Sequence, residues 1–261
     1  MNYTDYIQGI QFRFLPPNKK RPKGVRLLSR LLAKIGWHFE VANTVLPDDQ
    51  QEMRERLKHV CKLPRMSTFA VGAIINRAVS EMSPGHQFVN VGVWHGFTFF
   101  SGLAGNSEKP CIGVDNFSHR DSPRDQFLSR MTRWRSTAHR FHEMDFRDYF
   151  QHAHSGPIGV YVFDGPHTRQ DHLDALEFAE PFFADNCIVI IDDSNWDQVR
   201  SATDQFLARS SHHYEKLFDV RTPASGHPTF WNGLMIFRRA DLKTGKPAST
   251  TQSTVPDIVS V

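Results

Sequence analysis

Short apolar runs alternate with candidate helices along most of the chain, and this alternation constrains the fold more than any other feature. The runs lie at 88–93 (FVNVGV), 111–115, 141–145, 159–164 and 187–192. The candidate helices between and after them span about 97–105, 123–137, 168–181 and 196–210. Nearly continuous apolar strands are typical of a parallel sheet whose two faces are covered by helices. We therefore predict an α/β protein with a doubly wound, mostly parallel sheet.

Two later runs, 213–220 and 233–239, extend this pattern differently. Only a loop containing Pro and Gly separates them, which leaves no room for a crossover helix. Strands joined in this way pair antiparallel, so we expect them at one edge of the sheet. The residues that follow, 243–261, are rich in Ser, Thr and Pro and are predicted to form a disordered tail.

Charge is unevenly distributed along the chain. Residues 1–65 carry 13 Lys and Arg against 6 Asp and Glu, whereas residues 66–261 carry 18 against 22. The basic pI therefore reflects the N-terminal segment and says little about what the larger part binds. We expect no nucleic-acid partner, and we predict a basic helical N-terminal extension over 1–65.

Within this extension, the sequence that follows PPNKKRPKG (16–24) has the pattern of a basic amphipathic helix over 25–38. Apolar residues recur there at helical spacing: Val25, Leu28, Leu31, Leu32 and Ile35. Such a helix usually packs on its own domain or on a second subunit, because its apolar face needs a partner surface of some kind. We expect a homo-oligomer. Contact with a membrane surface through residues 19–39 is the alternative. A second charged helix is predicted at about 48–60.

Cysteine usage and hydropathy indicate the compartment. Cys61, Cys111 and Cys187 are odd in number and lack CxxC spacing, which favours a reducing environment without structural zinc. No apolar stretch is long enough to span a membrane, and the N-terminus has no apolar signal-peptide core. We expect a cytoplasmic protein.

Candidate functional residues lie where the predicted strands end. Four successive strands end in Asp115, Asp145, Asp164 and Asp192, and Asp193 follows the last of these. Ligands of open parallel sheets bind outside the carboxyl ends of the strands. A single aspartate there is commonly a helix cap or a turn residue. Four at one edge favour a ligand site.

The first strand leads into NVGVWHGFTFF, where Gly92 and Gly96 bracket the turn into a helix. This is neither the GxGxxG dinucleotide fingerprint nor the GxxxxGK[ST] phosphate loop. The glycines suit either a cofactor loop or tight packing, and the spacing does not separate the two. Asp115, about 20 residues on, lies where an acidic residue can accept hydrogen bonds from both hydroxyls of a ribose.

These segments together resemble a known family. VNVGVWHGFT (89–98), GVDNF (113–117), YVFDGPH (161–167) and FFADNCIVIIDDSNW (182–196) are similar to class I S-adenosylmethionine-dependent methyltransferases, and within them to the macrocin-type and metal-dependent O-methyltransferases. The resemblance covers roughly 70–240, so we assign 66–242 to the methyltransferase domain. It implies a Rossmann-like, seven-stranded sheet.

The resemblance also implies a cofactor site for S-adenosylmethionine. Gly92 and Gly96 would line its methionine part, Asp115 would hold the ribose, and Asp145 and Phe146 would flank the adenine. Asn90 stands where the family usually has an acidic residue, and it would contact the ammonium group without a full charge. The complete set of expected cofactor-binding residues is Asn90, Gly92, Val93, Trp94, Gly96, Asp115, Asn116, Asp145, Phe146 and Asp164.

Asp164, Asp192 and Asp193 form a candidate metal site. If the two strands are neighbours, their ends lie about 5 Å apart, and carboxylates so close repel unless a cation such as Mg²⁺ or Ca²⁺ compensates. Resemblance to the metal-dependent enzymes places a divalent ion there. Alternatively, Asp192 contacts the cofactor or caps the helix near Trp196, and Asp193 is solvated.

Catalysis is assigned to Asp164 and His167. In some relatives the histidine of a similar D-x-x-H segment is a general base, and proline at 166 excludes the acidic base that others use. A histidine with a pKa near 6.5 accepts a proton at neutral pH. A surface or helix-capping role for His167 is the alternative.

The sequence thus predicts an S-adenosylmethionine-dependent O-methyltransferase that acts on a sugar-like or phenolic hydroxyl of a small molecule. Two alternatives stay open. One is a metal-independent enzyme of the same fold. The other is a non-catalytic cofactor-binding or scaffold protein that docks through its basic N-terminal helix.

Overall fold

The computed structural model describes residues 1–33, 35–47, 50–119 and 122–240. The predicted disordered tail, 243–261, lies outside the described residues. In the described part, the first helices and strands are α1 (Tyr3–Gly9), β1 (Gln11–Phe12), α2 (Lys23–Ala33), α3 (Phe39–Asn43), β2 (Thr44–Val45), α4 (Gln50–Leu57) and α5 (Phe69–Glu81). Those that follow are β3 (Gln87–Val91), α6 (Phe97–Leu103), β4 (Cys111–Val114), α7 (Arg124–Trp134), β5 (His139–His142), α8 (Phe146–Asp148), β6 (Ile158–Phe163), α9 (Arg169–Ala179), β7 (Phe183–Asp192), α10 (Asp197–Arg209), β8 (His213–Val220) and β9 (Leu234–Ala240).

The main sheet has seven strands in the described part of the chain, in the order β5-β4-β3-β6-β7-β9-β8. Neighbours from β5 to β7 are parallel, and β9 is antiparallel to both β7 and β8. The fold class predicted from the alternating pattern is therefore confirmed. The chain moves outward from β3 through β4 to β5 and then returns to place β6 on the other side of β3. A crevice for ligands opens at such a reversal, outside the carboxyl ends of the strands.

Burial explains why these segments form strands. All six residues of β6 and all four of β4 are buried, as expected for strands covered on both faces. Two of the flanking helices, α9 and α5, start at a threonine whose hydroxyl group accepts a hydrogen bond from the first turn. The Thr168 hydroxyl accepts a hydrogen bond from the Asp171 N–H at 3.1 Å at the start of α9, and Thr68 caps α5 in the same way.

α5 is absent from the predicted helices. Its sequence, FAVGAIINRAVSE, is apolar on nearly every side, and ten of its thirteen residues are buried. A helix that is buried all round shows no polar face, so the period of 3.6 residues that reveals a surface helix is missing.

The N-terminal segment packs onto the same core as the sheet. Tyr6, Leu46, Leu57 and Val60 are buried in one cluster with α5, α6 and parts of the sheet. The helices predicted at 25–38 and 48–60 correspond to α2 and α4. The domain boundary near residue 65 stays a prediction. Among the described helices, none combines the length and the apolar character needed to cross a bilayer.

The contact between α6 and β3 gives a test of the packing. A Cβ atom at Gly102 would overlap the ring of Phe88, which is fully buried and has no room to move. We expect Gly102→Ala to destabilise the protein by about 1–3 kcal/mol, as overpacking of a core usually does. Gly24→Ala is the matched control: nothing lies within 4 Å of its Cβ, and alanine favours helix. Chemical denaturation of both variants measures the difference, and an equally stable Gly102→Ala would contradict this packing.

Candidate active site

A cavity of about 930 Å³ opens at the carboxyl ends of the parallel strands. The segments that follow β3, β4, β5, β6 and β7 all contribute to its lining, and residues 65–67 of the N-terminal part close one side. The volume lies in the range of ligand pockets, about 300–1,000 Å³. The sheet reversal between β3 and β6 thus coincides with the main cavity.

The glycines of the first turn have packing roles. Gly92 has a φ of +79°, and a Cβ there would overlap the carbonyl of Asp164 from the neighbouring loop. Gly96 has a φ of +97° and lies against the ring of Phe100. Gly92, Val93 and Trp94 also line the cavity, whereas Gly96 is not among its lining residues. The turn is therefore tightly packed at both glycines and faces the cavity over residues 92–94.

Asp115 holds this turn in shape. Its Oδ2 atom accepts hydrogen bonds from the N–H groups of Val93 and Trp94, both at 2.9 Å, and its Oδ1 atom accepts one from the Phe117 N–H at 2.7 Å. A carboxylate has about four acceptor positions, so roughly one is left for a ligand. Asp115 lines the cavity, as its predicted role requires.

Three further predicted cofactor residues also line the cavity: Asn116, Asp145 and Phe146. Asp145 caps α8 by accepting a hydrogen bond from the Arg147 N–H at 2.8 Å. The Asn116 side-chain amide lies 3.5 Å from the other carboxylate oxygen of Asp145. The side chain of Phe146 is buried and supplies an apolar wall. This part of the cavity combines polar groups with one aromatic ring.

Asn90 is placed differently. It is fully buried beneath the turn, and its amide donates to the carbonyl groups of Val91 at 3.2 Å and Gly92 at 3.3 Å. Its Oδ1 atom is buried without a hydrogen-bond partner among the described residues. Because Asn90 is not among the lining residues, the structure does not bring it to the cavity wall.

Asp164, His167 and Asp193 converge on the cavity from the loops after β6 and β7. The Nε2 atom of His167 lies 3.1 Å from Oδ2 of Asp193 and 4.0 Å from Oδ1 of Asp164. One ligand atom from each of the three residues fits within a group whose members are all within 4.8 Å of one another. Such a group can hold either a proton or a cation.

Asp192 does not belong to this group. It is buried, its Oδ1 atom accepts a hydrogen bond from the Asp193 N–H at 2.8 Å, and it is not among the cavity-lining residues. Asp193 has a φ of +54°, which turns the chain at the end of β7. The predicted set of Asp164, Asp192 and Asp193 is thus split, and His167 occupies the place that was expected for Asp192.

Burial and like charge shape the protonation of these residues. Burial, together with the negative charges of Asp192, Asp193 and Asp115, raises the pKa of Asp164 well above its usual range. Burial also raises the pKa of Asp193, although the charge of His167 and the nearby side-chain amide of Asn232 oppose this. Burial lowers the pKa of His167, and the charge of Asp193 acts in the opposite direction. The group therefore binds a positive charge favourably.

Several aromatic cavity residues escaped the sequence analysis: Phe97, Trp196 and Trp231 also line the cavity. The ring centroids of Trp196 and His167 are 4.7 Å apart and the rings are nearly perpendicular. A tryptophan in an otherwise polar loop could have indicated Trp196, whereas Trp231 follows Phe230 and gives no such signal. Four of the non-glycine residues with positive φ line the cavity: Trp94, Phe117, Asp193 and Trp231.

Comparison with known proteins agrees with this geometry. Residues 89–194, from β3 to just beyond β7, match a family described as a methyltransferase domain. This part of the chain is therefore similar to a methyltransferase domain, in agreement with the predicted class of enzyme. The macrocin-type and metal-dependent subgroups stay predictions. No curated protein matches the chain.

Solved structures share the fold at low sequence identity. CalS11, a TDP-rhamnose 3'-O-methyltransferase of calicheamicin biosynthesis, is similar at a TM-score of 0.52 and 16% identity, over 85% of this chain and 97% of that one. A candidate caffeoyl-CoA O-methyltransferase from Staphylococcus aureus is similar at a TM-score of 0.52 and 11% identity, over 82% of this chain and 100% of that one. A candidate SAM-dependent methyltransferase from Streptococcus mutans matches at a TM-score of 0.46 and 14% identity. The match covers 63% of this chain and only 47% of that protein.

The carboxylate cluster predicts a gain in stability when one charge is removed. Because the pKa of Asp164 is raised in the folded state, the folded protein holds this proton more tightly than the unfolded chain, and stability falls as pH rises above about 4. With EDTA present, we expect Asp164→Asn to stabilise the protein by about 0.5–2 kcal/mol at pH 7. The gain should shrink as pH approaches 4, and thermal unfolding at both pH values measures it.

Asp219→Asn is the control of opposite sign. Burial raises the pKa of Asp219, but hydrogen bonds from Arg200 and Lys216 outweigh it and lower the pKa overall. Loss of this carboxylate should cost about 1 kcal/mol at pH 7. Destabilisation by Asp164→Asn at pH 7 would show that the cluster is not repulsive.

Proposed function

We propose that the protein is an S-adenosylmethionine-dependent O-methyltransferase that methylates a hydroxyl group of a small molecule, sugar-like or phenolic. One observation carries the proposal. Within the methyltransferase domain, a single cavity joins the residues expected to bind the cofactor, after β3, β4 and β5, to the His167–Asp193 pair after β6 and β7. A cofactor and an acceptor can therefore meet beside a proton-accepting group.

The residues of the first half fit a purine nucleoside. Asp115 keeps about one acceptor position for a ribose hydroxyl, and Phe146 offers an apolar wall for a base beside the polar groups of Asn116 and Asp145. When bound, S-adenosylmethionine supplies an electrophilic methyl group on a positively charged sulfonium. Asp115 and Asp164 both line this cavity, and a cationic ligand would offset the burial and the like charge that raise the pKa of Asp164.

His167 is the proposed general base. The carboxylate of Asp193, whose Oδ2 atom lies 3.1 Å from Nε2, would favour a proton on that nitrogen and leave Nδ1 to accept the proton of the acceptor hydroxyl. Burial lowers the pKa of His167, so the neutral form that accepts a proton is favoured. The acceptor oxygen becomes a stronger nucleophile as the proton leaves. Asp193 is then a positioning residue, since it acts through the imidazole.

The aromatic lining supports the acceptor class. Trp94, Trp196 and Trp231 line the cavity, and the ring of Trp196 lies against His167. Aromatic rings bind flat apolar surfaces while leaving hydroxyl groups free to hydrogen-bond. Both a sugar ring and a phenol offer such a surface next to a hydroxyl group.

Removal of the imidazole tests this mechanism. We expect His167→Ala to lower kcat by roughly 10²–10⁴-fold and to leave the affinity for S-adenosylhomocysteine, measured by calorimetry, unchanged. Turnover is followed as release of S-adenosylhomocysteine with a panel of sugars and phenols. His213→Ala, at an exposed position of β8, is the matched control and should retain activity. If the wild-type protein binds neither S-adenosylmethionine nor S-adenosylhomocysteine, the proposed function is wrong.

A metal-assisted reaction is the second candidate, because one ligand atom each from Asp164, His167 and Asp193 form a compact group. Two carboxylates and an imidazole suit a divalent cation, and the nitrogen ligand favours Mn²⁺, Fe²⁺ or Zn²⁺ over Mg²⁺. The ion would lower the pKa of the acceptor hydroxyl as a Lewis acid. His167 would then bind the ion through Nε2, and its role as a free base would be lost.

Chelation separates the two candidates. In the metal-assisted reaction, EDTA abolishes turnover, Mn²⁺ restores it, and Asp193→Asn weakens Mn²⁺ binding, measured by electron paramagnetic resonance, by about tenfold or more. Asp185→Asn, at an exposed position of β7, is the control and should bind Mn²⁺ normally. Full turnover in EDTA would leave His167 as the base and exclude a required ion.

A further inference from the structure

We propose that residues 19–39, which include α2, dock the protein on an anionic membrane surface. The first support is charge. From Tyr6 to Phe39 the chain contains no Asp or Glu, and it contains eight basic residues: Arg13, Lys19, Lys20, Arg21, Lys23, Arg26, Arg30 and Lys34. Basic segments of this density are attracted to the negative surface potential of membranes that contain anionic lipids.

The second support is an apolar face that is exposed in the described part of the chain. Leu27 and Leu31, four residues apart on α2, are 63% and 53% exposed, and Ile35 and Trp37, beyond the end of the helix, are 78% and 41% exposed. Residues four apart lie on one side of a helix. Exposed apolar patches bordered by charge mark interaction sites, and tryptophan is typical of membrane interfaces.

The segment is fixed to the rest of the protein by its other side. Val25, Ser29 and Leu32 are half-buried, and the carbonyl oxygen of Lys19 lies 2.9 Å from Nε2 of His227. The exposed apolar residues are therefore held outward. With eleven residues α2 is too short to cross a bilayer, so it would lie in the interface with its apolar side among the lipids.

Charge also decides between the possible occupants of this face. A symmetric contact with a second copy would bring two basic segments together, because a two-fold interface pairs the same surface with itself. The C-terminal residues 241–261 contain two Asp and two Lys, so they offer no compensating charge. An anionic lipid surface matches both the basic and the apolar character of the segment.

The docking segment borders the active site. Arg21 and Ser29 line a second cavity of about 220 Å³, and Arg65, Ser67 and Trp231 line both this cavity and the main one. A membrane bound at residues 19–39 would therefore lie close to the part of the main cavity that contains Trp231.

Vesicle binding by the full chain tests the proposal without any assay of activity. We expect the protein to sediment with vesicles of phosphatidylcholine and phosphatidylserine, to stay in solution with phosphatidylcholine alone, and to dissociate as salt is added. Two variants should lower the partition coefficient about tenfold or more: Leu27→Ser/Leu31→Ser/Ile35→Ser and Lys19→Glu/Lys20→Glu/Lys23→Glu. Since the changed residues are exposed, circular dichroism should show the fold intact.

The matched control changes the same amount of charge at exposed positions elsewhere: Lys62→Glu/Arg133→Glu/Arg140→Glu. It should bind vesicles nearly as well as the wild type. The proposal is overturned if the wild type does not bind anionic vesicles or if the control loses as much binding as the lysine variant. It is also overturned if the leucine variant binds normally and instead changes the mass in light scattering, which would assign the apolar face to a second copy.

Discussion

The close approach of two loops at Gly92 is the constraint on which the cavity depends. The Asp164 N–H donates to the carbonyl of Val91 at 2.9 Å, and the Gly92 N–H donates to that of Val114 at 2.8 Å. The loops after three adjacent strands are thereby joined edge to edge, with no space for a side chain at position 92. Asp115 can reach the turn from one side because of this contact, and Asp164 reaches the cavity from the other. The positions of the polar groups in the cavity follow from backbone packing.

The same arrangement concentrates unfavourable features at one place. Trp94, Phe117, Asp193 and Trp231 adopt positive φ, a region that side chains disfavour, and all four line the cavity. Asp164 and Asp193 share this region with a buried Asp192. The rest of the sheet stabilises these features, since β6 and β4 are completely buried. The stable sheet thus tolerates both strained backbone and closely spaced carboxylates at its carboxyl edge.

The sequence predicted the elements that show a repeating apolar pattern. It did not predict side-chain positions that depend on a single backbone angle. Seven strands, the mostly parallel sheet and the antiparallel pair at its edge followed from apolar runs and from the length of the connections, whereas the order of the parallel strands did not. α5 was missed because a helix buried on all sides has no polar face. At the site, the aspartates after the strands were identified, although β5 ends at His142 and Asp145 caps α8 instead of ending a strand. Consecutive residues on a strand point to opposite faces. Which of Asp192 and Asp193 faces the cavity depends on the turn at Asp193, whose positive φ no residue type in that segment announces.

The position of His167 shows that the same side chain could act as the base or as a metal ligand, which the sequence did not indicate. A base and a metal ligand were expected from different residues, with the histidine beside a three-carboxylate site. Instead, one imidazole nitrogen lies between Asp164 and Asp193, so the proton and the ion compete for the same atom. A carboxylate pair of this kind needs one compensating positive charge, and a protonated imidazole, a metal ion or the sulfonium of the cofactor would each supply it. Because a bound cofactor would bring its own charge to a cavity lined by Asp164, it would reduce the need for an ion. This electrostatic argument favours His167 as the base.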